Sequence, residues 1–540
     1  MLWLVASGPL GLAGVGILRS GQWEQRPHTV ARLARLAASL SLSMAIMAAI
    51  AVVFHQPVQT QLIGFHGVGF ALYLDALSAV MFVLVSFIGL IVIVYSRNYL
   101  DGDPGQSRFL RWLCAALGAV LFLIISGNLL QFSVAWVFTS LSLHKLLVFY
   151  RERPAAVLAA RKKFLVSRIG DICLIVAMAL LFRACGSLDY AVLFDWARSL
   201  HAGGNAPSVI HAVSILLVIA ALLKSAQFPL HGWLIEVMET PTPVSALLHA
   251  GIINAGGFLV LRLADIISLS PQSLELLAIV GGLTALFGSL VMLTQTSIKV
   301  SLAYSTIGQM GFMMLECGLG AFSAALLHIV GHSLYKAHAF LTSGSVVDIS
   351  RASWTPSPGG QPHPARLAIA ATLMIALMLA VSATYGATLL EKPGVFALGA
   401  IVLLGLTHLV ANAIDERPNI YVIGRALALA FLVAVSYFAL QLAVERLLEG
   451  SLPSTLALRG PLDLVIVGAI LLAFGAATIF QSLFPVMAGK PRWQALHIHL
   501  ANGLYVNTVA NRLILRFWPT ATPKQIPPSH EITSDAGGVK

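Results

Sequence analysis

The sequence has 540 residues, of which 58% are hydrophobic and only 10% are charged, with a formal net charge of +11 and a mean hydropathy of +0.87. Because soluble domains carry about 25% charged residues, this composition excludes an ordinary soluble enzyme. The basic residues do not form runs away from apolar segments, so we expect them to report membrane topology rather than nucleic-acid binding. The four cysteines lack CxxC spacing, and neither a disulfide framework nor a zinc ribbon is predicted.

The apolar runs predict an all-α polytopic membrane protein with about 14–15 transmembrane helices, since a bilayer requires about 20 apolar residues per span. Lys and Arg concentrate in one set of alternate loops and in the C-terminal tail. We therefore expect a bacterial inner-membrane protein with its N-terminus outside and its C-terminus in the cytoplasm. The predicted spans cover residues 2–18, 33–54, 76–95, 110–126, 128–150, 164–182, 210–228, 242–261, 273–293, 300–317, 321–347, 366–389, 395–413, 422–444 and 461–485.

Two segments outside the predicted spans carry basic residues. Residues 151–163, RERPAAVLAARKK, are expected to form a cytoplasmic loop that anchors the topology, with contact to anionic lipid or a partner as the alternative. Residues 496–518 mix apolar residues with arginine and histidine, which predicts an interfacial helix or a helix that packs on a partner. The polar segment after them, residues 522–540, is expected to be disordered.

A lysine beside several prolines marks the middle of the chain. Lys224 ends an apolar run and is followed by Pro229, Pro241 and Pro243, each of which interrupts backbone hydrogen bonding and so predicts a broken helix. Discontinuous helices leave backbone groups and helix ends free to solvate an ion. The alternative is a kink near the interface with a snorkelling lysine. His249 follows on the next span.

A second set of ionisable residues recurs at helical spacing. His328, His332 and Lys336 stand at i, i+4 and i+8 and therefore share one helical face. Three titratable groups one turn apart predict a proton relay, with interhelical hydrogen bonding alone as the alternative. A metalloenzyme site that adds His338 is a further alternative, but the glutamate of an HExxH motif is missing, and no metal is expected.

Other charged residues near the predicted spans have two interpretations. Lys299 joins the relay or marks the cytoplasmic edge of its span. Arg168 and Asp171 lie three residues apart on one face, so an internal ion pair would lower their insertion cost. His144 and Lys145 are membrane-edge anchors or members of the polar interior.

Residues 222–251, LLKSAQFPLHGWLIEVMETPTPVSALLHAG, resemble the signature of the proton-translocating antiporter-like subunits of respiratory complex I and Mrp antiporters. The resemblance extends over residues 71–349 and includes the SRIGD box. It implies two inverted five-helix repeats with discontinuous helices and a hydrated lysine and histidine axis. Lys224 matches the family's first broken-helix lysine, His249 a bridging histidine and Lys336 a central lysine.

This resemblance predicts five segments along the chain. Residues 1–110 form three N-terminal spans, 111–261 the first repeat, 262–413 the second repeat, 414–485 the C-terminal spans, and 486–540 the cytoplasmic helix and tail.

The chain also departs from the family pattern. The long family members carry a glutamate directly after the tryptophan of the fifth span, whereas Val137 follows Trp136 here, so Asp171 is the candidate replacement counter-ion. The second broken helix is expected over 366–392, yet this segment lacks the interior proline and the lysine pattern. Lys392 is the lysine available there, and we do not treat it as an equivalent.

Residues 141–156 and 495–513 resemble the DabB family, the membrane subunits of DAB inorganic carbon accumulation complexes. The resemblance implies a large DabA-type partner with a zinc site similar to a β-carbonic anhydrase, in a heterodimer or larger complex surrounded by lipid. Cation flow, of H+ or Na+, would drive one-way hydration of CO2 on that partner. No cofactor and no catalytic site are expected on this chain. The alternative is a proton-pumping subunit of NADH-quinone oxidoreductase or an Mrp-type Na+/H+ antiporter.

Overall fold

The structure is a computed structural model, and it describes residues 2–18, 20–55, 57–65, 67–204, 206–237, 240–344, 364–414, 419–457, 460–487 and 489–518. The tail predicted to be disordered, residues 522–540, lies outside the described residues. The helices are α1 (Ser7–Ile17), α2 (Ser20–Trp23), α3 (Pro27–Phe54), α4 (Ala76–Tyr99), α5 (Gln106–Ile124), α6 (Leu129–Leu147), α7 (Pro154–Cys185), α8 (Tyr190–Gly203), α9 (Ser208–Lys224), α10 (Gly232–Glu236), α11 (Thr242–Ala250), α12 (Ala255–Arg262), α13 (Ala264–Ile267), α14 (Pro271–Met292), α15 (Ile298–Gly318), α16 (Phe322–Leu341), α17 (Pro364–Thr384), α18 (Pro393–Ala413), α19 (Ile420–Leu447), α20 (Pro461–Met487), α21 (Pro491–Ala501) and α22 (Val506–Phe517).

The all-α polytopic architecture is confirmed. Within the described ranges, ten helices are long and apolar enough to cross a bilayer, and Leu2–Ile17 and α9 are shorter apolar helices. Helices α6, α15 and α16 are long enough but carry polar and charged residues along their length. The two shorter helices and these three more polar ones account for the difference between the ten apolar spans of the described residues and the 14–15 spans predicted from the sequence. The two inverted repeats and the segment boundaries stay predictions.

Helix starts follow the local sequence. Asp75 caps α4, where its side chain accepts from the backbone of Ser78 and the Ser78 hydroxyl accepts from the Asp75 backbone. Asn128 and Asp189 cap α6 and α8 in the same manner. Proline occupies the first turn of several helices, where its missing N–H costs nothing, among them α3, α7, α14, α18 and α21.

The basic stretch 151–163 is not a loop, and this prediction is wrong. Helix α7 begins at Pro154 and runs for 32 residues, so most of the stretch forms its first turns. Lys162 and Lys163 point into the protein and are each 3% exposed. Alanines at 156, 159 and 160 share the buried side, which allows this basic segment to pack as a helix.

Small residues bring α14 and α15 into close contact. A Cβ at Gly288 would lie 2.5 Å from the backbone nitrogen of Gly308, and one at Gly311 would lie 2.4 Å from the nitrogen of Ala285. Membrane helices use such small residues to approach each other closely, because lipid provides no hydrophobic drive for their association. The closely packed pair lies next to α16, which contacts α15.

The end of the bundle that carries the N-terminus of α4 is closed by short strands and by a buried ion pair. The strands β1 (Val58–Gln59) and β4 (Tyr73–Leu74) pair antiparallel, as do β2 (Ile63–Phe65) and β3 (Val68–Phe70). The Arg262 guanidinium donates to both carboxylate oxygens of Asp75, at 2.8 and 3.0 Å. Helix α8 and the 448–457 segment also lie at this end, where Arg198 donates to the carbonyl of Gly450.

The C-terminal helices α21 and α22 lie at the opposite end of the bundle. The chain turns between them at Leu504 and Tyr505, which both have positive φ. Gln295 donates to the carbonyl of Ala501, and Arg161 donates to the carbonyl of Trp518, at 2.7 Å. The segment predicted to be an interfacial helix is therefore helical and packs against the ends of α7 and α14.

Candidate functional site

The chain is interrupted directly after Lys224. Helix α9 ends at this residue, and helical structure resumes only with the short α10 and then α11, which begins at Thr242. Pro229 lies within the interruption, after a cis peptide bond, whereas Pro241 precedes α11 and Pro243 stands in its first turn. Only the first of the three prolines thus lies in the break, and the other two begin a helix.

Lys224 is held against Trp136 of α6. Its ammonium donates to the Trp136 carbonyl at 3.3 Å and lies 4.2 Å from the centre of the indole ring, an arrangement that stabilises a cation. The indole N–H donates to Asp171 at 3.0 Å. Among the ion pairs of the described residues, Asp171 pairs with Arg168, at 2.7 Å, and not with Lys224. Trp136 therefore connects the candidate counter-ion to the lysine.

Lys163 is a site residue that the sequence reasoning missed. Its ammonium donates to the hydroxyl oxygen of Ser140 at 2.8 Å, and also to the carbonyl of that residue. It lines the same small cavity as Lys224 and Trp233. The signal that could have identified it is the pair of adjacent lysines shortly before the SRIGD box, at the end of the stretch predicted to be a loop.

A polar network joins α7, α10 and α22 near this cavity. Lys162 pairs with Glu236 at 2.6 Å and donates to the side chain of Asn507 at 2.7 Å. Asn507 and Asn511 both donate to Glu236, at 3.0 and 2.8 Å. The C-terminal helix α22 therefore packs through side-chain hydrogen bonds next to the interrupted helix.

His249 and the histidine-lysine face of α16 meet at the centre of the bundle. His249 is fully buried and stacks on Phe340 of α16 with ring centres 4.4 Å apart. Lys336 is also fully buried, and its ammonium donates to the carbonyl of Leu302 at 3.2 Å. His332 is 6% exposed. Helices α11 and α16 thus bring the predicted bridging histidine and the predicted central lysine into one interior region.

His328 faces a cavity of about 530 Å³ and contacts a carboxylate. Its Nδ1 lies 3.0 Å from a carboxylate oxygen of Glu316, on α15, and its ring centre lies 6.1 Å from that of His332. The glutamate was not among the predicted site residues. Its side chain, near the end of α15, is only 6% exposed.

The remaining candidates lie toward the ends of the helices. Lys299 is half-buried in the first turn of α15, where its ammonium lies 3.4 Å from the hydroxyl of Thr242, at the start of α11. Lys392, just before α18, pairs with Glu445 of α19 at 2.7 Å. His338 is exposed, and within the described part of the chain no group of three His, Cys, Asp or Glu side chains is arranged to hold a metal ion.

Family models match two parts of the chain. Residues 126–381 match the NADH:quinone oxidoreductase/Mrp antiporter transmembrane family, and residues 62–110 match the complex I chain 5 N-terminus family. These matches include the interrupted helix and the histidine-lysine face.

Among curated relatives, the "Probable inorganic carbon transporter subunit DabB2" of Halothiobacillus neapolitanus is 39% identical over 83% of this chain and 81% of its own length. The "Probable inorganic carbon transporter subunit DabB" of Hydrogenovibrio crunogenus is 37% identical over 84% of each chain. The NAD(P)H-quinone oxidoreductase chain 5 of Synechocystis is 40% identical, but over 51% of this chain and 40% of its own length.

Two solved structures have a similar fold. A chain of the Mrp complex from Dietzia superposes with a TM-score of 0.62 at 24% identity, covering 94% of this chain and 60% of that chain. A chain of the archaeal membrane-bound sulfane sulfur reductase superposes with a TM-score of 0.58 at 19% identity, covering 95% and 99%.

Proposed function

The chain belongs to the DabB family of inorganic carbon transporter subunits, and we propose that it is the cation-conducting membrane subunit of a complex that accumulates inorganic carbon. The cation, H+ or Na+, moves down its gradient through this chain. A partner subunit uses the energy released.

The proposal rests on the buried ionisable side chains beside the interrupted helix. Because a charged residue at mid-membrane costs about 2.5–3.5 kcal/mol on insertion scales, such residues are rare and typically mark an ion pathway. Lys224, His249, His332 and Lys336 are each at most 8% exposed, and two of them are fully buried. We assign the pathway to these four residues together with His328 and, at the edge of the bundle, Lys299.

Asp171 acts as a counter-ion through Trp136. Its carboxylate accepts a hydrogen bond from the Trp136 indole N–H, which fixes the orientation of the ring. The Lys224 ammonium lies over this ring. This arrangement takes the place of the glutamate that the family carries after the tryptophan. The interruption at Pro229, followed by the helix start at Pro241 and Pro243, leaves backbone groups that solvate the moving cation.

The partner is a large DabA-type subunit with a zinc site similar to a β-carbonic anhydrase, in a heterodimer or a larger complex. CO2 is hydrated to bicarbonate there, and the chain described here carries no catalytic site or cofactor of its own. One elementary charge that crosses 100 mV releases about 2.3 kcal/mol, enough to bias an equilibrium about fiftyfold. A single cation per turnover is therefore enough to bias the hydration equilibrium noticeably.

We propose that the N-terminus lies outside the bacterial inner membrane and that α22 lies in the cytoplasm. This orientation follows the distribution of Lys and Arg among the loops. It puts the network of Lys162, Glu236 and Asn507 on the side where bicarbonate accumulates.

A second candidate function is a proton-pumping subunit of NADH-quinone oxidoreductase or an Mrp-type Na+/H+ antiporter. The match to the Synechocystis subunit favours it, but that match spans only 40% of the relative. Val137 in place of the family's glutamate argues against it, because the Glu–Lys pair of the pumping subunits is then missing.

The deciding experiment is growth in air of a carbonic-anhydrase-deficient bacterium. The chain is expressed alone, and then together with the large protein encoded beside it. We expect rescue only by the pair, and loss of rescue when an uncoupler collapses the gradient. If the pair fails while the chain and its neighbours restore Na+ tolerance or NADH-linked proton pumping, the second function replaces the first.

A further inference from the structure

A cavity among the helix ends lies near Lys392 and Glu445. It has a volume of about 390 Å³, and its lining includes Ser323, at the start of α16, and Thr455. The Glu445 carboxylate accepts from the Lys392 ammonium at 2.7 Å and from the Thr455 hydroxyl at 3.3 Å. Both charged side chains are partly exposed, at 29% for the lysine and 23% for the glutamate. We call this space the outer cavity.

The cavity that contains His328 and Glu316, the inner cavity, is lined by Gln309 of α15 and by one polar residue of α19, Tyr437, which carries a hydroxyl group. The hydroxyl is buried, and no hydrogen-bond partner for it occurs among the described residues; the same holds for Nε2 of His328 and of His332. A cavity lined by several buried polar groups that lack a protein partner is suited to hold water or a cation. Burying these groups without any hydrogen-bond partner would be destabilising.

One buried polar residue of α19 lies between Tyr437 and Glu445, the residues of this helix that line the inner and the outer cavity. Gln441 stands one helical turn from Tyr437 and one turn from Glu445, so the three side chains share a face of α19. Gln441 is 2% exposed and donates to Ser323 at 2.6 Å, while its amide oxygen has no protein partner among the described residues. Ser323 lines the outer cavity and the adjacent Ala324 lines the inner one, so Gln441 contacts α16 at a point where the residues of both cavities are adjacent in the chain.

We propose that the cation reaches His328 and Glu316 from outside the membrane along this face of α19, through Glu445, Gln441 and Tyr437. The inference rests on the proposed cation-conducting function and supplies its outward-facing half. The outer cavity lies at the end of the bundle where Arg198 contacts Gly450, opposite the end that carries α22. Carboxylate, amide and hydroxyl oxygens all accept from a hydrated proton or coordinate Na+, so one route serves either cation.

The Lys392 ammonium competes with the cation for Glu445 on this route. It pairs with the Glu445 carboxylate when no cation is bound there, and an arriving cation displaces it. Because the pair is partly exposed, this exchange costs little.

Cysteine accessibility tests the route directly. Tyr437→Cys, Gln441→Cys and Glu445→Cys are made one at a time in a chain whose four natural cysteines are replaced and which still supports growth with its partner. Intact cells are treated with a positively charged, membrane-impermeant thiol reagent. We expect all three to react from outside, whereas the control Phe438→Cys, next to Tyr437 but in an apolar cluster, does not react. Reaction of Gln441→Cys only in inverted vesicles would overturn the outward assignment.

Transport by matched variants provides the second measurement. Gln441→Leu should lower gradient-driven cation flux about tenfold, the effect of removing one hydrogen bond to a charged group, while Gln441→Glu retains flux. Glu391→Gln is the control, since Glu391 is exposed and adjacent to Lys392 but does not line either cavity. Co-purification with the partner verifies that each variant assembles.

The outcomes separate this route from the proposed function. If Gln441→Leu conducts like the unmodified chain while Lys224→Ala has lost flux, the α19 route is wrong and the cation-conducting function stands. If Lys224→Ala also conducts normally, the proposed function itself fails. Loss of flux in both, with recovery in Gln441→Glu, supports both.

Discussion

The region around Lys224 and the region formed by α17, α18 and α19 hold their charges in different ways. In the first region the lysines are buried, and each ammonium donates to a backbone or side-chain oxygen, as Lys163 does to Ser140 and Lys336 to Leu302. In the second region the helices pack through a separate apolar cluster rich in alanine and methionine. Its ion pair, between Lys392 and Glu445, stays near the surface. Of these two regions, therefore, only the first keeps charged side chains in the interior of the bundle, where their desolvation is unfavourable.

Two ion pairs show the same contrast. Asp75 and Arg262 have side chains that are each 2% exposed, whereas those of Lys392 and Glu445 are 29% and 23% exposed. Breaking a buried pair leaves one charge without compensation and costs about 3–5 kcal/mol, while an exposed pair contributes about 0–1 kcal/mol. The first pair is therefore structural, and the second is free to exchange partners.

The largest effect is expected for Lys224→Ala. Removing the lysine takes away the charge beside the interrupted helix, so cation-coupled growth should fall to background while the complex still assembles, because an insertion cost is relieved. Lys145→Ala is the matched control, since Lys145 is exposed on the same helix as Trp136. Growth in air and cation flux into proteoliposomes measure the change. Transport at the unmodified rate in a well-expressed variant would refute the assignment.

Arg262→Ala should be the most damaging change to stability. It leaves the buried Asp75 carboxylate unpaired and removes the contacts of the guanidinium with the ring of Tyr73, so we expect a loss of about 3–5 kcal/mol. The yield of folded protein and the thermal unfolding temperature in detergent report it. Arg446→Ala, at the exposed end of α19, is the control and should leave both unchanged.

Lys163→Met should reduce transport without abolishing it. The methionine retains the apolar stem but removes the ammonium next to Lys224, and we expect about a tenfold lower flux, equivalent to about 1.4 kcal/mol. If Lys163 serves the pathway, flux should fall while the thermal unfolding temperature in detergent stays that of the unmodified chain. An equally clear fall in unfolding temperature would instead assign Lys163 to the packing of α7 on α6.

The fold was largely predictable from the sequence because apolar runs of sufficient length have few alternatives in a bilayer. Within the described residues, each predicted span overlaps an α-helix or, at residues 2–18 and 242–261, consecutive shorter helices. The start of α7 was not predictable in this way. Its basic residues have the composition of a loop, and only the packing of α10 and α22 against them, through Glu236 and Asn507, shows that they are buried.

The candidate site was predicted where residues recur within one helix and missed where distant helices meet. The spacing of His328, His332 and Lys336 is visible in the sequence. The pairing of His328 with Glu316 requires two helices to meet, and the indirect link from Asp171 to Lys224 depends on the orientation of one indole ring. Periodicity carries no information about such contacts.

The smallest effect is expected for Lys392→Ala, which tests whether the second region has a central lysine. Because the pair with Glu445 is partly exposed, its loss should cost less than about 1 kcal/mol, and flux should stay within about threefold of the unmodified chain. Glu445→Gln removes the same pair and so serves as the comparison. It should match Lys392→Ala in unfolding temperature but transport less, since the carboxylate receives the cation. Loss of transport in Lys392→Ala as complete as in Lys224→Ala would mean that both regions use a lysine as the central charge, and that the contrast between them is one of burial alone.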